Sequence, residues 1–176
     1  MIGFQTGYHY LNSHFNRFSE GDHQNYMRLL RAHEPIRCPI CSALYKGGRW
    51  QWGKPEGEPR CMPCPACLRI QDKFPAGLLS IPGDFVCDHM EDIERVLHAV
   101  EQKEMAQHPL RRIMGHSIDG TNTLQVQFTD RVIARVAAEA LVKAYSGYLE
   151  FDEFDSEYLM VVEWHQFQST SLPALK

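Results

Sequence analysis

The stretch Cys38-Pro39-Ile40-Cys41, followed one loop later by Cys64-Pro65-Ala66-Cys67, decides how the rest of the chain is read. Two Cys-x-x-Cys pairs joined by a loop predict one tetrahedral metal site, with Zn2+ as the expected ion. Each pair curls into a tight knuckle that turns two thiolates toward one point. Pro39 and Pro65 take the second position of each knuckle, where the fixed φ of proline helps set the turn. Cys61 complicates the count, because Cys61-Met62-Pro63-Cys64 is also a Cys-x-x-Cys. On spacing alone, the pair of Cys61 and Cys64 fits the usual gap of about 15–20 residues slightly better. Backbone chemistry favours the other pair. Amides just after the first cysteine of a knuckle donate to its sulfur, and Pro63 has no N–H to give. The expected ligands are therefore Cys38, Cys41, Cys64 and Cys67. The plain alternative is a set of reduced thiols that hold nothing.

Around this stretch, composition sets outer limits. A chain of 176 residues suits one domain or two small ones. Its apolar and charged fractions, 44% and 23%, are those of a globular protein and argue against a long disordered chain. No apolar run reaches the length of a membrane span, and the N-terminus lacks a basic region followed by an apolar one. A cytoplasmic protein with no membrane partner is expected. In a reducing compartment, paired cysteines favour metal over disulfide. The net charge of −4 is unevenly spread. Lys46, Arg49, Lys54, Arg60, Arg69 and Lys73 make the cysteine region basic, and Arg111, Arg112, Arg131, Arg135 and Lys143 make a second basic group. Residues 84–104 and 150–163 are acidic. This balance excludes an indiscriminate nucleic-acid binder but allows docking at one defined place on RNA, or on protein.

Five segments follow from the pattern. Residues 1–37 form an aromatic and His-rich arm containing a helix over Ser19 to His33 that ends at Pro35. Residues 38–75 form the zinc module. Its loop carries Gly47-Gly48-Arg49-Trp50-Gln51-Trp52-Gly53, a strand edge bounded by glycines, and a turn-rich tip from Lys54 to Pro59. Residues 76–107 are a connecting strand, Leu78 to Ile81, a turn at Pro82-Gly83, and a helix. That helix is expected to start at Asp88, with Glu91 completing a capping box, and to bury Ile93, Val96, Leu97 and Val100. Cys87 is expected to be a small core residue.

Residues 108–165 read as an α+β unit. A strand over Leu110 to Ser117 leads into a hairpin turn at Asp119-Gly120-Thr121-Asn122. Leu124 to Thr129 alternates strictly, as a half-buried strand does. Thr129 or Asp130 caps a second helix running to Ser146 and stopped by Gly147. Two more strands, Leu149 to Phe154 and Tyr158 to Trp164, close the unit. The fold class is thus α+β: a small zinc-ribbon-like module plus an antiparallel sheet with helices, in the order strand-strand-helix-strand-strand. Residues 166–176 are a polar tail.

Once these segments are laid out, several motifs resemble the Nmd-type family. They are Cys64-Pro65-Ala66-Cys67 continuing to Gly77, His108-Pro109-Leu110-Arg111-Arg112-Ile113-Met114, the run Thr129-Asp130 to Ser146-Gly147, and Trp164 closing the last strand. The family contains the archaeal and eukaryotic adaptor for the large ribosomal subunit and short bacterial relatives. The likeness spans roughly Cys38 to Trp164. It implies a zinc module that docks on the large subunit and an α+β unit in the same particle. The helix start Arg131-Val132-Ile133-Ala134-Arg135-Val136 is less basic than the family's.

The expected function is a non-catalytic, zinc-stabilised protein that binds ribosomal RNA as a hibernation, stress or maturation factor. The candidate RNA contacts are Arg49, Trp50, Trp52, Arg60, Arg69, Arg111 and Arg112, cations and indoles suited to phosphate and base stacking. A zinc-scaffolded protein–protein adaptor or homodimer is the alternative, motivated by the acidic run from Glu150 to Glu163. An enzyme is not expected. Four cysteines close the metal's coordination sphere, and His108, His116 and Asp119 form no recognisable set of nucleophile, base and orienting group.

Overall fold

The computed structural model describes residues 33–154 and 159–167. The expected arm, up to residue 32, and the expected tail, beyond residue 167, lie outside them. The chain is α+β, with two sheets and three helices among the described residues.

The first sheet is made of β1 (Ile36–Arg37), β2 (Leu44–Lys46), β3 (Arg49–Gln51) and β4 (Arg60–Cys61), in the order β3-β2-β1-β4. Gly47 and Gly48 turn the β2–β3 hairpin with φ of 63° and 74°. Two consecutive positive φ values are what a two-residue hairpin loop needs to follow the strand twist. The Glu34 carboxylate accepts hydrogen bonds from both glycine amides, at 2.8 and 3.1 Å. Ile36 and Tyr45 are buried beneath the sheet, and the Trp50 ring packs on Tyr45 at 5.5 Å. The remaining core of this unit is the cysteines themselves with Ala43 and Ala66. So little apolar burial does not hold a unit of this size by itself.

The second knuckle runs straight into helix α1 (Pro65–Asp72). Pro65 at the first helical position is well placed, since its missing N–H costs nothing there. Lys73, in the left-handed conformation at φ 53°, ends the helix.

The second sheet contains β5 (Gly77–Ile81), β6 (Ile113–Ile118), β7 (Leu124–Phe128), β8 (Gly147–Phe154) and β9 (Leu159–Gln166). Its order is β6-β7-β5-β9-β8. This corrects two expectations. The strand set apart as a connector, β5, is the central strand of the sheet, and it runs parallel to β9, so the sheet is mixed rather than wholly antiparallel. A short, mostly buried strand carries no sequence sign of which strands flank it.

Helices α2 (Gly83–Gln107) and α3 (Arg131–Ala144) share one core with the sheet, built on Leu79, Ile81, Phe85, Phe128, Ile133 and Trp164. Helix α2 starts five residues before the expected Asp88. Asp88 and Glu91 lie inside it, so the capping-box pattern there caps nothing. Gly83 can begin the helix because it has no side chain to strike Asn122 of the β6–β7 turn. For α3 the cap is Asp130, whose carboxylate accepts from the amides of Val132 and Ile133 at 2.8 and 3.4 Å. The helix ends at Ala144, and Gly147 serves instead as the first residue of β8. A Cβ on Gly147 would lie 2.5 Å from the His165 carbonyl oxygen and 2.9 Å from the Trp164 ring.

Two substitutions test this packing by urea denaturation. Asp130→Ala is expected to cost about 1 kcal/mol, the usual worth of a helix cap. Gly147→Ala is expected to cost about 1–3 kcal/mol through overpacking against β9. Unchanged midpoints in both would contradict the described register of β8 and α3.

Candidate metal centre

The two knuckles are built from backbone hydrogen bonds. In the first, Cys38 donates its amide to Ala43 at 2.8 Å, and Ser42 donates to the Cys38 carbonyl at 2.9 Å. Ser42 closes the turn in the left-handed region, at φ 66°. The amides of Ile40 and Cys41 bond the Cys38 sulfur, and the Cys64 amide reaches the same sulfur at 3.3 Å. In the second knuckle the Cys67 amide bonds the sulfur of Cys64. Pro63, which matches Ile40 in position, would deny a Cys61 knuckle the bond that the Ile40 amide makes in the first knuckle.

The four sulfurs of Cys38, Cys41, Cys64 and Cys67 all lie within 4.8 Å of one another. Cys38 and Cys67 are 3.8 Å apart, and Cys41 and Cys64 are 3.6 Å apart. A tetrahedral site with metal–sulfur bonds of about 2.3 Å places its sulfurs about 3.8 Å from each other. The donor set and spacing fit a closed four-thiolate metal centre. Cys38, Cys64 and Cys67 are buried and Cys41 is half-buried. Cys61 is exposed on β4, outside the cluster, and so is Cys87 on α2, against its expected place in the core. With α2 starting at Gly83, Phe85 and Val86 take the inward positions and Cys87 faces out.

The thiols have very different proton affinities. Burial pushes Cys64 up and lifts Cys67 to about 11. Burial also acts on Cys38, but the Cys41, Cys64 and Ile40 amides outweigh it and bring that thiol down to about 7. Binding a cation here displaces protons from sulfur, as thiolate sites require.

The structure separates the expected RNA-contacting residues into two groups. Arg49 and Arg60 are exposed on the first sheet, on β3 and β4. Trp52 is 41% exposed, and its Nε1 donates to the Met105 carbonyl at 2.6 Å. That carbonyl belongs to the last turn of α2, where helical carbonyls lack intrahelical partners. Trp50 is half-buried against Tyr45. The other three arginines are held within the fold. Arg69 donates to the Phe74 carbonyl at 3.2 Å and lies over the Phe74 ring, and burial lowers its pKa. Arg111 pairs with Glu104 at 2.7 Å and Asp130 at 3.7 Å. Arg112 reaches the cysteine cluster, with Nη1 donating to the Cys67 sulfur at 3.5 Å. Burial alone would lower the Arg112 pKa, and the sulfurs of Cys41, Cys64 and Cys67 reverse this and raise it. Nothing local in the sequence marks Arg112 as a neighbour of Cys67, because 45 residues separate them.

A second group of possible ligands, Glu150, Glu163 and His165, lies across β8 and β9 on the exposed side of the sheet. The imidazole Nε2 is 3.5 Å from Glu163 and 3.8 Å from Glu150, an ion-pair arrangement if the ring is protonated.

No protein-family model, no curated protein and no solved structure matches the chain. Among the described residues, no helix is long and apolar enough to cross a membrane.

Thiol labelling of the native chain followed by mass spectrometry checks the cluster. Rapid addition is expected at Cys61 and Cys87, with the four clustered cysteines protected until a strong chelator is added. Equal rates at all six thiols would contradict the geometry.

Proposed function

We propose that the protein is a non-catalytic docking protein whose cysteine centre holds zinc and whose exposed basic hairpin binds RNA of the large ribosomal subunit. The observation that carries the reading is the four-sulfur cluster beneath a hairpin that displays Arg49. Soft thiolates at tetrahedral spacing suit zinc better than harder divalent cations. Cys38, Cys41, Cys64 and Cys67 would fill all four positions of the ion and leave none for a substrate. The ion would therefore act as a cross-link between the two knuckles, fixing the hairpin that the small core cannot hold by itself.

The RNA surface in this proposal is narrower than the sequence suggested. Arg69, Arg111 and Arg112 are engaged inside the fold, so the contacts fall to Arg49, Arg60 and Lys54, with Trp52 at their edge. Lys46 lies opposite Arg49 and is paired with Glu56 at 2.9 Å. Arg49 and Arg60 stand on the two edge strands of the first sheet, and exposed cations gain affinity by displacing counterions from phosphate. The large subunit as the target is what the Nmd-type resemblance implies; docking there would hold subunits inactive, as a hibernation or stress factor does, or assist their maturation.

A protein–protein adaptor is the second reading, and a different surface favours it. At the β8 edge of the second sheet, Tyr148 stacks on His165 of β9 at 5.1 Å and meets Phe167 at 5.7 Å, beside Glu150 and Glu163. Exposed aromatics among carboxylates suit a basic protein surface and repel phosphate.

Pelleting of the pure chain with purified large subunits distinguishes the two. Co-pelleting in low salt that falls steeply as salt rises is expected for the RNA reading. Arg49→Glu with Arg60→Glu should weaken it at least about tenfold. No co-pelleting in low salt, or binding indifferent to both salt and the two charge reversals, would count against it.

A further inference from the structure

The contact between Arg112 and Cys67 crosses from the sheet unit into the cysteine unit, and everything around Arg112 fixes it there. Its amide donates to the Thr129 hydroxyl at 2.9 Å, and its carbonyl accepts from the Thr129 amide at 3.0 Å. Thr129 is itself buried, and its hydroxyl donates to the Leu110 carbonyl at 2.6 Å. The side chain is then turned by Nε, which donates to the Pro109 carbonyl at 2.8 Å. With the backbone clamped and Nε engaged, only the two terminal nitrogens face the sulfurs. Nη1 bonds Cys67, and Nη2 is shielded from solvent without a hydrogen-bond partner among the described residues. Leu110 packs against the cluster from the same segment.

A half-buried guanidinium with one terminal NH2 unpartnered is costly unless an anion faces it. Four neutral thiols supply none. Four thiolates around one divalent ion carry a net charge of about −2 and supply it directly. We infer that Arg112 is a positioning residue of the metal centre. It donates a charge-assisted hydrogen bond to the Cys67 thiolate, offsets part of the centre's negative charge, and so slows release of the ion. The inference rests on the zinc reading above. It also ties the two units together, because the residue that steadies the centre is held by Pro109 and by Thr129, at the corner between β7 and α3, rather than by either knuckle.

The test compares full-length wild type, Arg112→Met, Arg112→Lys and the control Arg95→Met, an exposed arginine of α2 that pairs with Asp92. Two quantities are read: the rate of zinc transfer to a chromophoric chelator, and the sulfur-to-metal charge-transfer band of the cobalt-substituted protein. Arg112→Met is expected to release zinc about tenfold faster, the scale of one charge-assisted bond. Its band should move to longer wavelength, because a thiolate without its donor is easier to oxidise. Arg112→Lys should fall between, since it keeps the charge and loses the planar fork. Arg95→Met should match wild type in both. A purely structural role for Arg112 would lower the melting temperature without moving the band. Should Arg112→Met lack a cooperative melt, Arg112→Lys decides alone, by a moved or unmoved band. Wild-type rate and band in the Arg112 variants overturn the inference while leaving the zinc centre standing. A wild type that binds no zinc overturns both.

Discussion

Four sulfurs gathered from two knuckles, 23 to 29 residues apart across the pairs that nearly touch, are the constraint on which the first half of this molecule depends. The first sheet is made of strands of two or three residues. Isolated strands of that length have no stability to offer. What they have is a fixed frame. Cys38 follows β1 directly and Cys64 closely follows β4, so joining these cysteines pins the parallel pairing of β1 and β4. The β2–β3 hairpin then hangs from the same frame, with Ile36, Tyr45 and Trp50 as its small apolar support.

The second half of the molecule is of another kind. Its sheet and two long helices bury a continuous core around Trp164, which packs on Phe85 at 4.4 Å. This unit needs no metal, and it gives the first one a place to rest. The join is polar and specific. Trp52 donates to the end of α2, and Arg112 reaches the cysteines from the start of β6. Thr129 holds the strand-to-helix corner that aims Arg112, and its neighbour Asp130 caps α3. One short turn therefore serves both the core of the second unit and the surroundings of the cysteines.

Much of this was legible in the sequence where the signal was local. The choice of Cys64 with Cys67 over Cys61 followed from one missing amide at Pro63, and the cluster has that composition. The alternation from Leu124 to Phe128 and the apolar stripe of α3 were equally plain, since periodicity reports burial. The failures have physical causes as well. The pattern at Asp88 and Glu91 looks like a helix start, yet α2 begins at Gly83, where close approach to Asn122 decides the matter. Gly147 reads as a helix stop, but its need is for space beside Trp164. The central place of β5 and the reach of Arg112 to Cys67 depend on partners far along the chain, whereas Arg69 and Arg111 are engaged by Phe74 and Glu104 only five and seven residues away. Charge alone cannot tell an arginine that meets solvent from one that meets a carboxylate or a sulfur.

The first unit stands or falls with a metal held by its cysteine cluster. Elemental analysis of the purified full-length chain, after passage over a chelating resin, is the most direct measurement. It should return about one equivalent of zinc per chain, lost when Cys38 and Cys64 are both replaced by serine. Less than about half an equivalent of any transition metal in correctly folded wild type, unchanged by those replacements, would contradict the account.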